Sequence, residues 1–369
     1  MPTYADPEGG RLIRAESLQA WTAALLERFG TPNDIAADVA EVLVSADRRG
    51  IASHGTARLP QYVALIESGD MDPTGRPEPL RSKAAIGLFD ANNGWGHHAS
   101  RVAMDTAIER ARDSGSFTAV VRNSNHYGIA GWYALRAADA GFIGVSMTNT
   151  SPVVAATRGV KPVLGTNPLA VAAPAGAHGH FCLDMATSTI TRGRVEVALR
   201  RHEELRAGWA IDPDGRPTTD AAAAFDGALL PLGGVEESGG HKGYGLMLLV
   251  DILTGVLSGS TAAPLIVPLF STEAGAADLG QAFMAIDPDA IDEPGAFESR
   301  MEAEFDLLTA SPTAPDAPGR ILIPGEPEAD AERRSAERGV VMDPEHHGAM
   351  ESLGERATVP FPETTPIGG

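Results

Sequence analysis

The stretch FTAVVRNSNHYGIAGWYALRAADAGFIGVSMTNT, residues 117–150, decides the fold class. Residues 117–122 are mostly apolar and predict a buried strand, which ends at the polar turn 123–128. A helix is predicted at 129–140 and a second strand at 142–149. A strand, a helix and a strand in direct succession indicate an α/β core.

The same alternation continues on both sides of this stretch. A strand at 86–90 and a helix at 99–114 are predicted before it, and a strand at 169–173 after it. An apolar helix then opens with a glycine-rich loop and runs to residue 258. Together with a helix at 301–308 and a strand at 283–286, these elements predict an α/β core over residues 81–310.

The two ends of the chain have a different character. Apolar residues at helical spacing predict helices at 11–29, from Asn33 to Arg49, and at 56–67, hence an N-terminal helical subdomain over residues 1–80. Residues 311–369 are expected to contain a strand at 320–323 and helices at 329–338 and 344–356. We expect this segment to pack back on the N-terminal subdomain and to end in a mobile tail, PFPETTPIGG.

Composition excludes several classes of partner. The 369 residues contain 29 Lys and Arg against 49 Asp and Glu, a net charge of −20, which repels nucleic acids and anionic membrane surfaces. The single cysteine, Cys182, cannot form an intramolecular disulfide and fits a reducing cytoplasm. The N-terminus lacks the pattern of a secretory signal, and the most apolar stretch, 246–257, is too short to span a bilayer.

Two familiar ligand patterns occur only in part. Gly94, Gly96 and Ala99 fit the G-x-G-x-x-A dinucleotide fingerprint, but the strand ends four residues too early and the next strand lacks the expected acidic residue. A plain turn between strand and helix is the preferred interpretation. The ten histidines include no HExxH and no paired CxxC, so surface histidines are preferred to a metal site.

A third pattern indicates an anion site. The sequence SGGHKGYG, residues 238–245, places small residues and Lys242 at the start of an apolar helix. Free N–H groups at a helix N-terminus, close approach at glycine and one lysine suit a diphosphate. A flexible surface loop is the alternative.

Two further segments carry histidines in polar turns. Ser53 and His54 follow Arg48 and Arg49 at a helix end, a combination that can hold a carboxylate beside a proton donor, although a polar turn between helices explains it equally well. His126 lies where a buried strand gives way to a helix, the usual place of a binding crevice in α/β proteins. A histidine that only caps the helix is the alternative.

Taken in order, these segments resemble the type 2 malate/L-lactate dehydrogenase family. The matching motifs are SHGTARLPQY (53–62), NSNHYGIAGWY (123–133), GTNPLAVAAP (165–174), DMATSTITRG (184–193), LLPLGG (229–234), GGHKGYGL (239–246) and PGE (324–326). The family also contains sulfolactate and ureidoglycolate dehydrogenases, diketogulonate reductases and cyclic-imine carboxylate reductases. Seven motifs in order, covering about residues 11–357, are far more specific than any one of them.

The resemblance implies a homodimeric oxidoreductase with an α/β fold that binds NAD or NADP and differs from the Rossmann fold. Its active-site histidines are His54 and His126. Its cofactor contacts are Asp184, Met185, Ala186, Thr187, His241, Lys242, Gly243, Pro324, Gly325 and Glu326. Short amphipathic helices at both ends, which lack obvious partners within one chain, also favour a dimer.

The sequence departs from the family pattern at three places. Arg194 stands where lysine is commoner, and Val235–Ser238 lengthens the loop before the lysine motif. Both departures concern cofactor affinity. Gln281 stands where a histidine is frequent, which leaves the choice of substrate open.

The resulting prediction is hydride transfer between NAD(P)(H) and C2 of a small 2-hydroxy or 2-oxo acid. Arg48, with Ser53 and Asn125, is expected to bind the substrate. A cation beside His54 should lower the pKa of that histidine more than the neutral amides near His126 lower theirs. Because His54 lies beside the expected carboxylate site, we favour His54 as the proton donor, with His126 fixing the substrate oxygen or the nicotinamide. Cyclic-imine carboxylate reduction and, more remotely, a non-catalytic ligand-binding protein are the alternatives.

Overall fold

The computed structural model describes residues 6–367. The first residues of the predicted N-terminal subdomain and the last two of the predicted tail lie outside this range. The strands are β1 (Arg11–Ile13), β2 (Glu78–Lys83), β3 (Ile86–Asp90), β4 (Ser116–Ser124), β5 (Ile143–Thr148), β6 (Val154–Ala155), β7 (Pro162–Leu164), β8 (Leu169–Pro174), β9 (His180–Met185), β10 (Ala210–Ile211), β11 (Pro217–Thr218), β12 (Ala228–Leu229), β13 (Leu279–Ile286), β14 (Val340–Met342) and β15 (Thr365–Pro366). The α-helices are α1 (Ala15–Arg28), α2 (Asn33–Arg48), α3 (Leu59–Ser68), α4 (Gly96–Ser114), α5 (Ala130–Asp139), α6 (Arg192–Arg201), α7 (Ala221–Asp226), α8 (Gly240–Asp251), α9 (Ala296–Thr309), α10 (Glu326–Arg338) and α11 (Pro344–Ala357).

A mixed seven-stranded sheet forms the centre, in the order β2-β3-β4-β13-β5-β8-β9. Only β3 and β4 run parallel; the other neighbours are antiparallel. Alternate residues of β4, Phe117, Ala119 and Val121, pack in one core with the alanine-rich faces of α4 and α5. The predicted strand, helix and strand are therefore confirmed as β4, α5 and β5, with β13 inserted between the two strands.

The glycines of the weak dinucleotide fingerprint serve packing between backbone segments. A Cβ at Gly94 would lie 2.4 Å from the carbonyl oxygen of Gly75, and one at Gly96 would lie 2.1 Å from that of Asn125. The surface that would face a pyrophosphate in a Rossmann fold is thus covered by protein backbone. The mixed sheet and these contacts agree with the non-Rossmann α/β fold expected from the sequence.

A second core joins the two ends of the chain. Helices α1, α2 and α3 bury apolar side chains against β14 and α11. Strand β1 lies between β14 and β15, antiparallel to both. The prediction of a mobile tail is wrong, because residues 365–366 pair with β1 and Phe361 packs edge-on against Trp21 at 4.8 Å. The subdomain boundaries themselves stay predictions.

Several predicted elements have other bounds or another type. Residues 11–13 form a strand where a helix was predicted, because their partner β14 lies at the far end of the chain. Residues 52–54 and 56–58 form two short 3₁₀ turns ahead of α3, and residues 320–323 form no strand. The apolar helix begins at Gly240 and ends as a π-helical segment, Ile252–Val256.

A small third sheet, in the order β11-β10-β12-β6-β7, packs with α6, α7 and α8 on one flank. The glycine-rich loop before α8 lies against this unit. In the described part of the chain, every helix is too short or too polar to cross a membrane.

Candidate active site

The fold brings His54 and His126 together from different cores. His54 ends the first 3₁₀ turn after α2, and His126 follows β4 at the edge of the central sheet. Their rings stack with centroids 5.6 Å apart and planes at 28°. Both side chains are half-buried, and the pair lies where the turn after α2 meets the end of β4.

Tyr62 of α3 fixes the orientation of His126. Its hydroxyl lies 2.6 Å from Nδ1 of His126, and the backbone N–H of Gly128 donates to the same nitrogen at 3.3 Å. A nitrogen that accepts an N–H carries no proton itself, so the neutral ring holds its proton on Nε2 and Tyr62 is the other donor. Nε2–H of His126 is therefore a fixed hydrogen-bond donor. Tyr62 ends the first family motif but was not singled out from the sequence.

Aromatic rings enclose the pair. The fully buried His97 packs edge-on against Tyr62 at 5.2 Å, and Phe270 lies 5.5 Å from His126. Burial lowers the pKa of His97 to about 3. Burial, helped by Arg58, lowers the pKa of His54 to about 4. The imidazoles are thus held neutral at pH 7.

The expectation that His126 would be less perturbed than His54 is wrong. Burial lowers the pKa of His126 well below 6.5, and the nearby His54, His97 and Arg58 lower it further. In the sequence, only the amides of Asn123 and Asn125 stand beside His126. The rings that bury His126 come from other segments of the chain, and their effect on its pKa is larger than that of the amides.

Arg58 is the cation that faces the histidines. Its Nε donates to the backbone oxygen of Ser53 at 2.7 Å, and its guanidinium lies 5.3 Å from the centre of the Phe270 ring. Arg58 lowers the pKa of both His54 and His126 by its charge. It lies on the second 3₁₀ turn, four residues after His54.

Arg48, the cation expected from the sequence, points toward the C-terminal segment. Its guanidinium lies 3.2 Å from Glu332 of α10, and Arg49 pairs with the same carboxylate at 2.9 Å. Ser335 also donates to the backbone oxygen of Arg48 at 2.9 Å. The idea that Arg48 sets the pKa of His54 is corrected, and its role in substrate binding stays a prediction.

Ser53 and Asn125 have separate positions. Ser53 is exposed, and its hydroxyl lies 2.9 Å from Nδ1 of His54. Asn125 is buried, and its amide nitrogen donates to Asn93 and to the backbone oxygen of Gly94. Gln281, another buried amide, donates to the backbone oxygen of Asn125 at 2.9 Å. Asn125 thus holds the loop that carries His126 against the neighbouring loop.

The segments expected to bind the cofactor adjoin one another along β9. The backbone N–H of Gly131, at the start of α5, donates to Asp184 at 2.8 Å. The backbone oxygen of Pro324 accepts from Cys182 at 2.9 Å, and a Cβ at Gly325 would lie 2.8 Å from Cβ of Cys182. Residues 324–325 therefore lie against the strand that carries Asp184.

Beyond the end of β9, Thr187 contacts the loop that precedes Lys242. Thr187 accepts from the backbone N–H of Leu232 at 2.8 Å, and a Cβ at Gly243 would lie 2.2 Å from the oxygen of Leu232. Met185 and Ala186 lie half-buried between Asp184 and Thr187. His241 and Lys242 are exposed in the first turn of α8. Glu326 pairs with Arg320 at 2.8 Å.

This arrangement has a defined chemical capacity. His126 offers a fixed N–H donor, and His54 can gain or lose a proton because its Ser53 partner can donate or accept. The guanidinium of Arg58 can bind a carboxylate. Together these groups suit a small anion whose oxygen gains or loses a proton.

Comparison with known proteins places the chain in a family. The malate/L-lactate dehydrogenase family model matches residues 13–351. A malate dehydrogenase from Pyrococcus abyssi is 44% identical over 325 residues, which covers 88% of each chain.

Solved structures agree with this match. The malate dehydrogenase of Pyrococcus horikoshii OT3 superposes with a TM-score of 0.89 at 36% identity, covering 98% of this chain and 99% of the other. The Δ1-piperideine-2-carboxylate reductase of Pseudomonas syringae gives a TM-score of 0.83 at 29% identity, covering 93% and 99%. The chain therefore belongs to the malate/L-lactate dehydrogenase family of oxidoreductases.

Proposed function

We propose that the protein transfers a hydride between a nicotinamide cofactor, NAD or NADP, and C2 of a small 2-hydroxy or 2-oxo acid. One observation carries the proposal: a fixed N–H donor, a histidine that can exchange a proton and an arginine lie close together, at His126, His54 and Arg58. A 2-oxo acid carries the matching groups, a carbonyl oxygen next to a carboxylate. Membership of the family supports the same reaction class.

We assign the substrate carboxylate to Arg58. A buried carboxylate without a cation costs several kcal/mol, and the charge of Arg58 already acts on both histidines. Arg48 already has a carboxylate partner in Glu332, which it shares with Arg49. Ser53 and Asn125 then bind or shape the substrate site indirectly, through His54 and through the loop of His126.

We assign the proton to His54. The Nδ1 of His126 accepts from Tyr62 and Gly128, so proton loss from its neutral ring would leave an imidazolate. His126 instead donates Nε2–H to the substrate oxygen and polarises it. His54 takes the proton from the hydroxyl during oxidation and returns it during reduction.

The residues along β9 fit the cofactor chemically. Lys242 and His241 are exposed at the start of α8, where the helix dipole favours anions. A Cβ at the nearby Gly245 would meet nothing within 4 Å beyond the adjoining backbone of its own helix. These residues would hold a diphosphate, and Asp184–Thr187 with Pro324–Glu326 would hold the rest. When bound, the cofactor supplies or accepts the hydride.

A substrate screen tests the proposal. We expect the purified protein to oxidise NADH or NADPH with at least one of pyruvate, oxaloacetate, sulfopyruvate and 2-oxoglutarate, with no loss of activity after chelator treatment. Activity with piperideine-2-carboxylate alone would assign the chain to cyclic-imine reduction, which the likeness to the Pseudomonas syringae reductase supports. Turnover of none of these compounds would reject both.

Removal of the Arg58 charge should weaken substrate binding. We expect Arg58→Gln to raise the substrate KM at least tenfold, because a hydrogen bond to a charged group contributes about 1.5–3 kcal/mol. The matched variant Arg48→Gln should change the substrate KM by less than about threefold, since its partner is Glu332. Steady-state kinetics with saturating cofactor measures both, and the reverse ranking would restore the assignment to Arg48.

The two histidines should differ in the pH dependence of oxidation. Oxidation needs neutral His54, whose pKa of about 4 predicts that kcat/KM stays level from about pH 8 to pH 5 and falls below that. His54→Gln should lower kcat by a factor of about 10²–10⁴ and should abolish the fall of kcat/KM at acidic pH, the acid limb of the profile. His126→Gln should keep the limb and raise the substrate KM. A limb that disappears in His126→Gln and persists in His54→Gln would exchange the two roles.

Lys242 should contribute to cofactor affinity. We expect Lys242→Ala to raise the cofactor KM about tenfold or more while the substrate KM changes little, because the lysine adds a charge-assisted contact at a helix start. Lys83→Ala, at an exposed lysine of β2, is the control and should leave both constants unchanged. Equal cofactor KM values in the Lys242 variant and the wild type would remove Lys242 from the site.

We also propose that the protein is a homodimer, although the terminal helices do not support this as the sequence suggested. The terminal helices α1 and α11 pack into one core within the chain, so they need no second copy. An exposed apolar row on α8 and its π-helical end supports the dimer instead: Leu249, Ile252 and Val256 are 48%, 51% and 63% exposed.

Light scattering tests this proposal. We expect twice the chain mass of 38.4 kDa at micromolar concentration, and a shift toward the monomer in Val256→Glu, because a charge at the centre of an apolar interface is costly. A wild-type mass of one chain would contradict the proposal. A dimer that Val256→Glu leaves intact would move the interface elsewhere.

The predicted cytoplasmic location is likewise a proposal. It is supported by the buried, unpaired thiol of Cys182, the only cysteine of the chain. Recovery of the protein from a membrane or secreted fraction of its source cells would contradict it.

A further inference from the structure

A buried polar cluster lies beneath the turn that carries His54 and Arg58. Its members are Asp47 at the end of α2, Thr56 in the turn and His346 in α11. The hydroxyl of Thr56 lies 2.6 Å from Oδ2 of Asp47 and 2.9 Å from Nε2 of His346. The backbone N–H of Thr56 donates to the same Oδ2 at 2.9 Å. All three side chains are less than 10% exposed.

The proton positions make this cluster directional. Burial raises the pKa of Asp47, while His346 and the two hydrogen bonds from Thr56 oppose that rise. In its ionised form Asp47 accepts both from the backbone N–H and from the hydroxyl of Thr56. Nε2–H of His346 must then donate to the oxygen of Thr56. Each group is thereby bound to the next, and the orientation of His346 determines that of the Thr56 hydroxyl.

The turn lies directly against this cluster. A Cβ at Gly55 would lie 1.9 Å from Oδ1 of Asp47, so the backbone of the turn touches the carboxylate. His54 and Arg58 each lie two residues from Thr56, on opposite sides of it. The two 3₁₀ turns are only three residues long, and turns of this length are held mainly by contacts with the rest of the protein.

We propose that Thr56 and His346 are positioning residues for catalysis: α11, from the C-terminal end of the chain, sets the placement of His54 and Arg58 through His346, Thr56 and Asp47. The inference rests on the proposed function, because it assigns His54 to proton transfer and Arg58 to the substrate. Thr56 and His346 touch neither substrate nor cofactor; they act through the turn.

Kinetics of variants test the proposal. Thr56→Val keeps the shape and removes both hydroxyl contacts, and we expect kcat/KM for the 2-oxo acid to fall about tenfold to a hundredfold, since small misplacement of reacting groups has effects of this size. The cofactor KM should not change. Thr56→Ser restores the hydroxyl and should recover most of the activity, whereas His346→Phe should resemble Thr56→Val.

The neighbouring histidine provides a matched control. His347 lies on the same helix but contacts Glu351 and Thr364, both 3.2 Å away. His347→Gln should leave kcat/KM within about twofold of the wild type. Wild-type kcat/KM in Thr56→Val, or an equal loss in Thr56→Val and Thr56→Ser, would overturn the proposal.

A readout without turnover separates this inference from the proposed function. In protein labelled with ¹⁵N at histidine, with the His54 signals assigned through His54→Gln, we expect Thr56→Val and His346→Phe to shift the His54 ring signals. His347→Gln should not shift them. Inactivity of the wild type on every 2-oxo acid would reject the proposed function, while unshifted His54 signals in Thr56→Val would reject the positioning role by itself.

Discussion

The hydrogen bond between Tyr62 and His126 is the interaction on which the site depends. It joins α3, part of the core built from both chain ends, to the end of β4 in the central sheet. Because both groups are shielded by aromatic rings, loss of either partner would leave a buried polar group unsatisfied, at a cost of about 1–3 kcal/mol. Because the N–H of Gly128 donates to the same Nδ1, the proton of His126 lies on Nε2, and the contact with Tyr62 both aligns the two cores and orients that N–H.

The charges around this contact favour neutral imidazoles until an anion arrives. Arg58 lies beside both histidines in a protein of net charge −20, and its charge adds to burial in lowering the pKa of each. A substrate carboxylate bound to Arg58 would offset that charge and raise the pKa of His54 toward its ordinary value. In the proposed function, substrate binding would thus be coupled to proton uptake, and a larger fraction of His54 would carry a proton when there is a carbonyl to protonate.

The sequence predicted what depends on local periodicity and on motif order. The elements at β4, α5 and β5 follow from apolar spacing, and both histidines were found from their turns. Arg58 was not predicted, because Arg48 and Arg49 are the arginines at the end of α2. Nothing in the sequence near them indicates that both pair with Glu332 of α10. Strand β1 was read as part of a helix because its partners β14 and β15 come from the other end of the chain. Tyr62 stood in a quoted motif, but only the fold shows that it reaches His126.

The turn that carries His54 and Arg58 shows the same dependence on distant segments of the chain. Residues 52–58 form two single 3₁₀ turns, and Thr56, which begins the second, is bound by side chains from outside the turn. Asp47 binds Thr56 from α2, His346 binds it from α11, and Glu332 holds the end of α2 through Arg48 and Arg49. A turn held by both ends of the chain takes its geometry only in the folded protein. The candidate residues His54 and His126 are therefore predictable from the sequence, whereas the residues that place their turn and ring are visible only in the packing.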